Sequence, residues 1–257
     1  MKKQIIFFLM AAAMVTSPLI SWGQAKIYTK KARMADFQVS TTKVVSVGQS
    51  MIDLSFRDIV ISRWHVNPYE FCTIEEYEAL KTNNSFYFLC LAHENGILYM
   101  ILSKGGQENE QNMLKIPFEV VRIPIGTYGA VSATQFSFWE AFIDIVQQFA
   151  EEAMESDSVG YSGISSFNGK DIRGMKIILN PEESVKELGN QDDMTLVSVI
   201  ITPPEVAFKD CWCYKMLINA GTHELYYYEK SKYRGPSDAR FTDAEIRHFK
   251  KRHAVVR

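Results

Sequence analysis

The chain has 257 residues, 47% hydrophobic and 23% charged, a globular composition that excludes disorder. Its net charge of −2 hides an asymmetry: residues 26–33 carry four bases and no acid, 230–257 carry nine bases against three acids, and 34–229 carry 13 bases against 27 acids. An acidic body repels phosphate backbones, so nucleic acid is not an expected partner.

Met1-Lys2-Lys3 supplies a positive start, Ile5–Val15 an unbroken apolar run, and Gly23-Gln24-Ala25 small residues at the end. That tripartite order predicts a cleavable signal peptide over 1–25 and export to the periplasm or the cell surface of a bacterium. A helix over the 11 apolar residues rises about 16 Å, roughly half a hydrocarbon core, which argues against an anchor. No later stretch approaches 18 apolar residues, so no transmembrane segment is expected after cleavage.

Residues 26–38 read as an extended lead-in, and β-branched residues predict strands at 42–47 and 57–64. Thr73 and Glu76 form a capping box that opens a short helix over 74–82, with Cys72 stapled onto Tyr77. Asn95-Gly96 joins 85–92 to 97–103 as a hairpin. A polar loop at 104–112 leads to a strand at 118–124. Ser137 and Glu140 predict a second capping box and a helix over 138–155. Its stripe of Trp139, Phe142, Ile143 and Val146 faces the core, while Glu140, Asp144 and Gln147 face away. On that phasing Phe142→Ala costs about 3–5 kcal/mol and Gln147→Ala less than about 0.5 kcal/mol. Strand 174–179, a helix capped by Asn180-Pro181 and stopped at Gly189, and strand 195–202 follow. A hairpin of 212–218 with 223–229 and a last helix boxed by Thr242 and Glu245 complete the chain. These elements make one α/β domain of α+β type over 26–257, a mixed, largely antiparallel sheet with helices packed on it.

No motif carries a catalytic assignment. Cys211, Cys213 and His223 tempt a zinc reading, but with Ile218 opposite His223 the thiols lie roughly 17 Å along the strand, so no metal is expected. Cys72, Cys90, Cys211 and Cys213 allow three pairings that spacing does not choose between, and buried free thiols are favoured. Gly160-Tyr161-Ser162-Gly163 lacks the last glycine of a serine-hydrolase elbow. Gly105-Gly106 lacks a phosphate-loop lysine, and Asp192-Asp193 lacks a calcium-loop glutamate. No cofactor is expected. The remaining lead is an interleaving of rings and cations: Tyr226, Tyr228, Lys230, Tyr233 and Arg234, with Arg247, Lys250 and Lys251 on one face of the last helix. Such a patch could hold a protein, an anionic glycan or a lipid head group. The sequence therefore points to a non-catalytic, macromolecule-binding envelope protein. A hydrolase acting on a glycan or peptide is the alternative, and a purely structural role stands third.

Overall fold

The computed structural model describes residues 30–46, 48, 50–106, 117–190, 192–204 and 211–257. The expected signal segment and residues 107–112 of the expected polar loop lie outside them. Among the described residues, eight α-helices and two mixed five-stranded sheets form an α+β fold.

The first sheet has β1 (Thr41–Val45), β2 (Tyr69–Cys72), β3 (Phe86–Glu94), β4 (Ile97–Lys104) and β5 (Phe118–Thr127), in the order β2-β1-β3-β4-β5. The second has β6 (Lys176–Ile178), β7 (Thr195–Ile201), β8 (Trp212–Asn219), β9 (Leu225–Lys232) and β10 (Val255–Val256), in the order β10-β6-β7-β8-β9. In both, the first three strands in spatial order run parallel and the last three are antiparallel. The expected single sheet is thus two sheets with one pattern of strand directions, although the parallel edge strand is second in chain order in the first sheet and last in the second.

Helices α1 (Lys30–Met34), α2 (Met51–Arg63), α3 (Ile74–Leu80), α4 (Ala133–Ser137), α5 (Trp139–Glu155), α6 (Asp157–Ser162), α7 (Pro181–Glu187) and α8 (Asp243–Lys251) connect and cover the strands. Three of the expected caps are present: the Thr73–Glu76 and Thr242–Glu245 boxes, and Asn180 accepting from the Glu182 and Glu183 amides. The first hairpin turns at Asn95 and Gly96, both at positive φ, as a tight primed turn requires. Gly105 admits no side chain, because a Cβ there would meet the Asn83 carbonyl oxygen at 1.8 Å.

Four local expectations are corrected. Residues 57–64 are not a strand: Ser50 caps α2 by accepting from the Asp53 amide, and Asp53, Phe56 and Val60 fall on its buried face. The helical spacing of these residues outweighs the weak strand preference of Ile59, Val60 and Ile61. The lead-in is not extended but holds α1 and a 3-10 turn, Phe37–Val39, whose Met34 and Phe37 are fully buried. The capping box ahead of α5 is Ser132–Gln135, opening α4; Ser137 instead bonds back to Ala133. In the second hairpin Ile218 faces Leu225 rather than His223, across a wider loop.

The main core draws on both sheets and on α5, joining Leu89, Met100 and Ile123 to Val197, Met216 and Ile218. Helix α5 is enclosed rather than laid on a surface. Besides the expected stripe, Ala141, Asp144, Ile145 and Gln147 are buried. A second core beneath α8 gathers Ile177, Leu196, Leu217, Phe241 and Phe249. Lys215 and Glu245, both nearly buried, pair at 2.8 Å and tie α8 to β8.

Candidate functional site

Parallel strands end where the chain must cross to a helix, and that crossing leaves a crevice beyond their carboxyl ends. Beyond β1 and β2 a cleft of about 410 Å³ is lined by Ser46, Arg57, Phe71, Cys72, Thr73 and Glu75, among others. Arg57 comes from the second turn of α2, and its guanidinium lies 4.2 Å from the centre of the Phe71 ring. Its Nη1 donates to Ser46 Oγ at 3.2 Å, and Ser46 Oγ donates to Asp53 Oδ2 at 2.7 Å. The ring and the hydroxyl hold the guanidinium in place. Among the described residues, none of the ion pairs within 4 Å involves Arg57. The cleft therefore presents a fixed cation with free N–H donors beside an aromatic ring. Glu75 and Glu76 line the same cleft, Glu76 being committed to the Thr73 amide at 2.8 Å.

A second polar cluster sits inside the fold, at Asp144 on α5. Arg63, the last residue of α2, grips this carboxylate through both Nε and Nη2, the Nε contact to Oδ1 being 3.2 Å. His223 Nδ1 lies 2.7 Å from Oδ2. The carboxylate can only accept, so Nδ1 carries the proton. Burial alone would raise the Asp144 carboxyl, but the hydrogen bonds from His223 and Arg63 outweigh it and hold it below the ordinary range. Gln147, one turn on, accepts from the His65 amide at 2.8 Å and donates to the Arg63 carbonyl at 3.1 Å. The cluster joins the end of α2 to the centre of α5 and to the β8–β9 loop. That loop is shaped by Asn219, whose side chain accepts from the Gly221 and Thr222 amides and donates to the Asp193 carbonyl. It holds His223 at φ +58°, a left-handed conformation costing a non-glycine residue roughly 1–2 kcal/mol. The ring's bond to Asp144 offsets that strain.

The ring-and-cation patch read from the sequence is divided by the fold. Tyr228 packs against the main core, 6.1 Å from Tyr214, and exposed Lys230 on the same side of β9 carries its Nζ 4.5 Å over Trp212. Tyr226 stands at an irregularity of the β8–β9 register, with Lys170 Nζ 5.3 Å over its ring. The tyrosine that touches α8 is Tyr227, 5.1 Å from Phe249 and hydrogen-bonded to Glu245. Arg247, Lys250 and Lys251 are exposed on α8, while Tyr233 is half-buried and the Arg234 amide bonds Asp238. The structure thus does not bring Tyr228 and Lys230 together with the cations of α8, because alternation along β9 sends them to opposite sides of the sheet.

None of the four cysteines forms a disulfide with another. Burial pushes Cys72 up and takes Cys90 and Cys213 to about 11, so these three are neutral sulfhydryls near pH 7. Cys213 Sγ bonds the Asp238 carbonyl while the His223 ring bonds Asp144, so the residues tempting a zinc reading serve different neighbours. Among the described residues no group of three or more His, Cys, Asp or Glu could hold a metal ion, and no helix is long and apolar enough to cross a membrane.

Neither the cleft nor the Asp144 cluster was legible in the sequence. Reading 57–64 as a strand misplaced Arg57 and Arg63 together, and phasing Asp144 and Gln147 outward hid their partners. The one local signal was Ser50 three residues before Asp53, a helix start that sets both arginines on α2. Comparison with protein-family models, with curated proteins and with solved structures finds no match.

Proposed function

We propose that this protein is an exported interaction module of the bacterial envelope, working in the periplasm or at the cell surface by binding another protein. The observation that carries the reading is the outer face of α2. Met51, Leu54 and Ile61 share one strip of that helix and are 79%, 45% and 58% exposed, while the opposite face is buried in the core. Ile52 and Ile74 add exposed apolar surface on α2 and at the start of α3. Asp58 interrupts the strip, yet the exposed apolar side chains around it leave α2 with a second surface to cover.

The test replaces Leu54 and Ile61 together with Asp. The variant should fold with an unchanged melting temperature and should lose a protein that wild type crosslinks in envelope preparations. Equal crosslinking by both would refute this docking face.

The hydrolase reading has one specific observation behind it, the His223–Asp144 pair, in which a carboxylate orients an imidazole as a general base requires. Against it, the same carboxylate is gripped by Arg63, and the His223 side chain is only 10% exposed. Hydrolysis of envelope glycan or peptide that is abolished by His223→Gln would favour the enzyme.

A further inference from the structure

We infer that the cleft beyond β1 and β2 captures the free C-terminal carboxylate of a peptide that adds to the first sheet as a strand parallel to β2. This goes beyond the α2 docking face and does not depend on it.

Strand β2 is an edge. The Thr42 amide donates to the Pro68 carbonyl at 2.8 Å and the Ser46 amide to the Cys72 carbonyl at 3.0 Å. Even-numbered residues of β2 therefore turn their backbone groups toward β1. In a parallel ladder the alternate residues point the other way, so the N–H and C=O of Tyr69 and Phe71 form the outer edge. No strand pairs with that edge among the described residues. The edge at β9 is treated differently: Asn168 donates to the Tyr228 carbonyl at 3.0 Å and accepts from its amide at 2.7 Å, standing in for a neighbouring strand. Open strand edges are the templates on which extended peptides add.

The cleft supplies the end of the strand. It lies at the carboxyl end of β2, so a strand running parallel to β2 delivers its own C-terminus there. Arg57 waits at that point, stacked on Phe71 and held by Ser46, with one donor used. A guanidinium with free donors meets a carboxylate through two parallel hydrogen bonds, the geometry it fits best. Glu75, also in the lining, is exposed at the mouth. A ligand that pairs its terminal carboxylate with a basic residue a few positions earlier answers both signs of charge. Tyr69 and Phe71 share the α2 side of β2, their rings 5.9 Å apart, so side chains projecting to that side should be apolar or aromatic.

The experiment presents the immobilised full chain with two randomised hexapeptide libraries that differ only in ending as a free acid or as an amide. Enrichment from the free-acid library alone is expected, with basic residues before the terminus. Amidation of an enriched peptide, or Arg57→Gln with an unchanged melting temperature, should weaken its binding roughly tenfold to a hundredfold, the range for losing charge-assisted hydrogen bonds. Methylating one edge-facing backbone nitrogen of the peptide should cost about threefold to tenfold and needs no change in the protein. No enrichment, or equal enrichment of amides, overturns the proposal. Competition by free amino acids as strong as by the peptide overturns the added strand.

Discussion

Asp144→Ala removes the acceptor that joins α2, α5 and the β8–β9 loop. Asp144 and His223 side chains are 8% and 10% exposed, whereas Arg63 is 38% exposed. Removing one partner of a fully buried pair costs about 3–5 kcal/mol. Arg63, more than a third exposed, can rehydrate, which places the loss near the lower bound, about 3 kcal/mol. For a chain of this size that lowers the melting temperature by roughly 6–12 °C. Urea unfolding followed by tryptophan fluorescence measures it. The pH dependence follows from the direction of the shift. The folded carboxyl titrates below the ordinary 3.8, so its contribution is complete above that value and is lost as pH falls through the lower folded one. The gap between wild type and variant should stay constant from about pH 7 to 5 and close below about pH 4. A gap smaller than about 1 kcal/mol at neutral pH, or one that widens on acidification, would mean that Asp144 is not the tie between these elements.

Gln147→Ala should cost about 2–3 kcal/mol rather than the negligible loss its sequence phasing implies, because the His65 amide and the Arg63 carbonyl lose their partner. Phe142→Ala, at a fully buried ring of the same helix, should cost about 3–5 kcal/mol, and denaturant titration compares the two variants directly. Iodoacetamide at pH 8 should leave Cys90 and Cys213 largely unmodified, by peptide mass mapping, until denaturant is added. With sulfhydryls near 11, about one Cys90 or Cys213 in a thousand is a thiolate at that pH. Rapid native modification of either would contradict their burial.

Local features were legible from the chain alone. The Thr73–Glu76 and Thr242–Glu245 boxes, the Asn180-Pro181 helix start and the Asn95-Gly96 turn are each decided by a few neighbouring residues whose side chains bond their own backbone or admit positive φ. Chain order alone places them, and they stand where they were expected. Errors arose where distant contacts decide. Residues 57–61 carry strand formers, but the burial of Asp53, Phe56 and Val60 against the core makes them helix. Asp144 and Gln147 look like the wet side of an amphipathic helix because a period of 3.6 records only polarity. Tertiary structure brings Arg63, 81 residues away, and His223, 79 residues away, to satisfy them inside. The shared pattern of strand directions in the two sheets was also decided at this level. Different side chains can fill the same layer, so one pattern of strand directions occurs twice without a legible sequence repeat. The cleft beside β2 belongs there too: it exists only because α2, β1 and the strand edge meet around Arg57, and no spacing along the chain encodes that meeting.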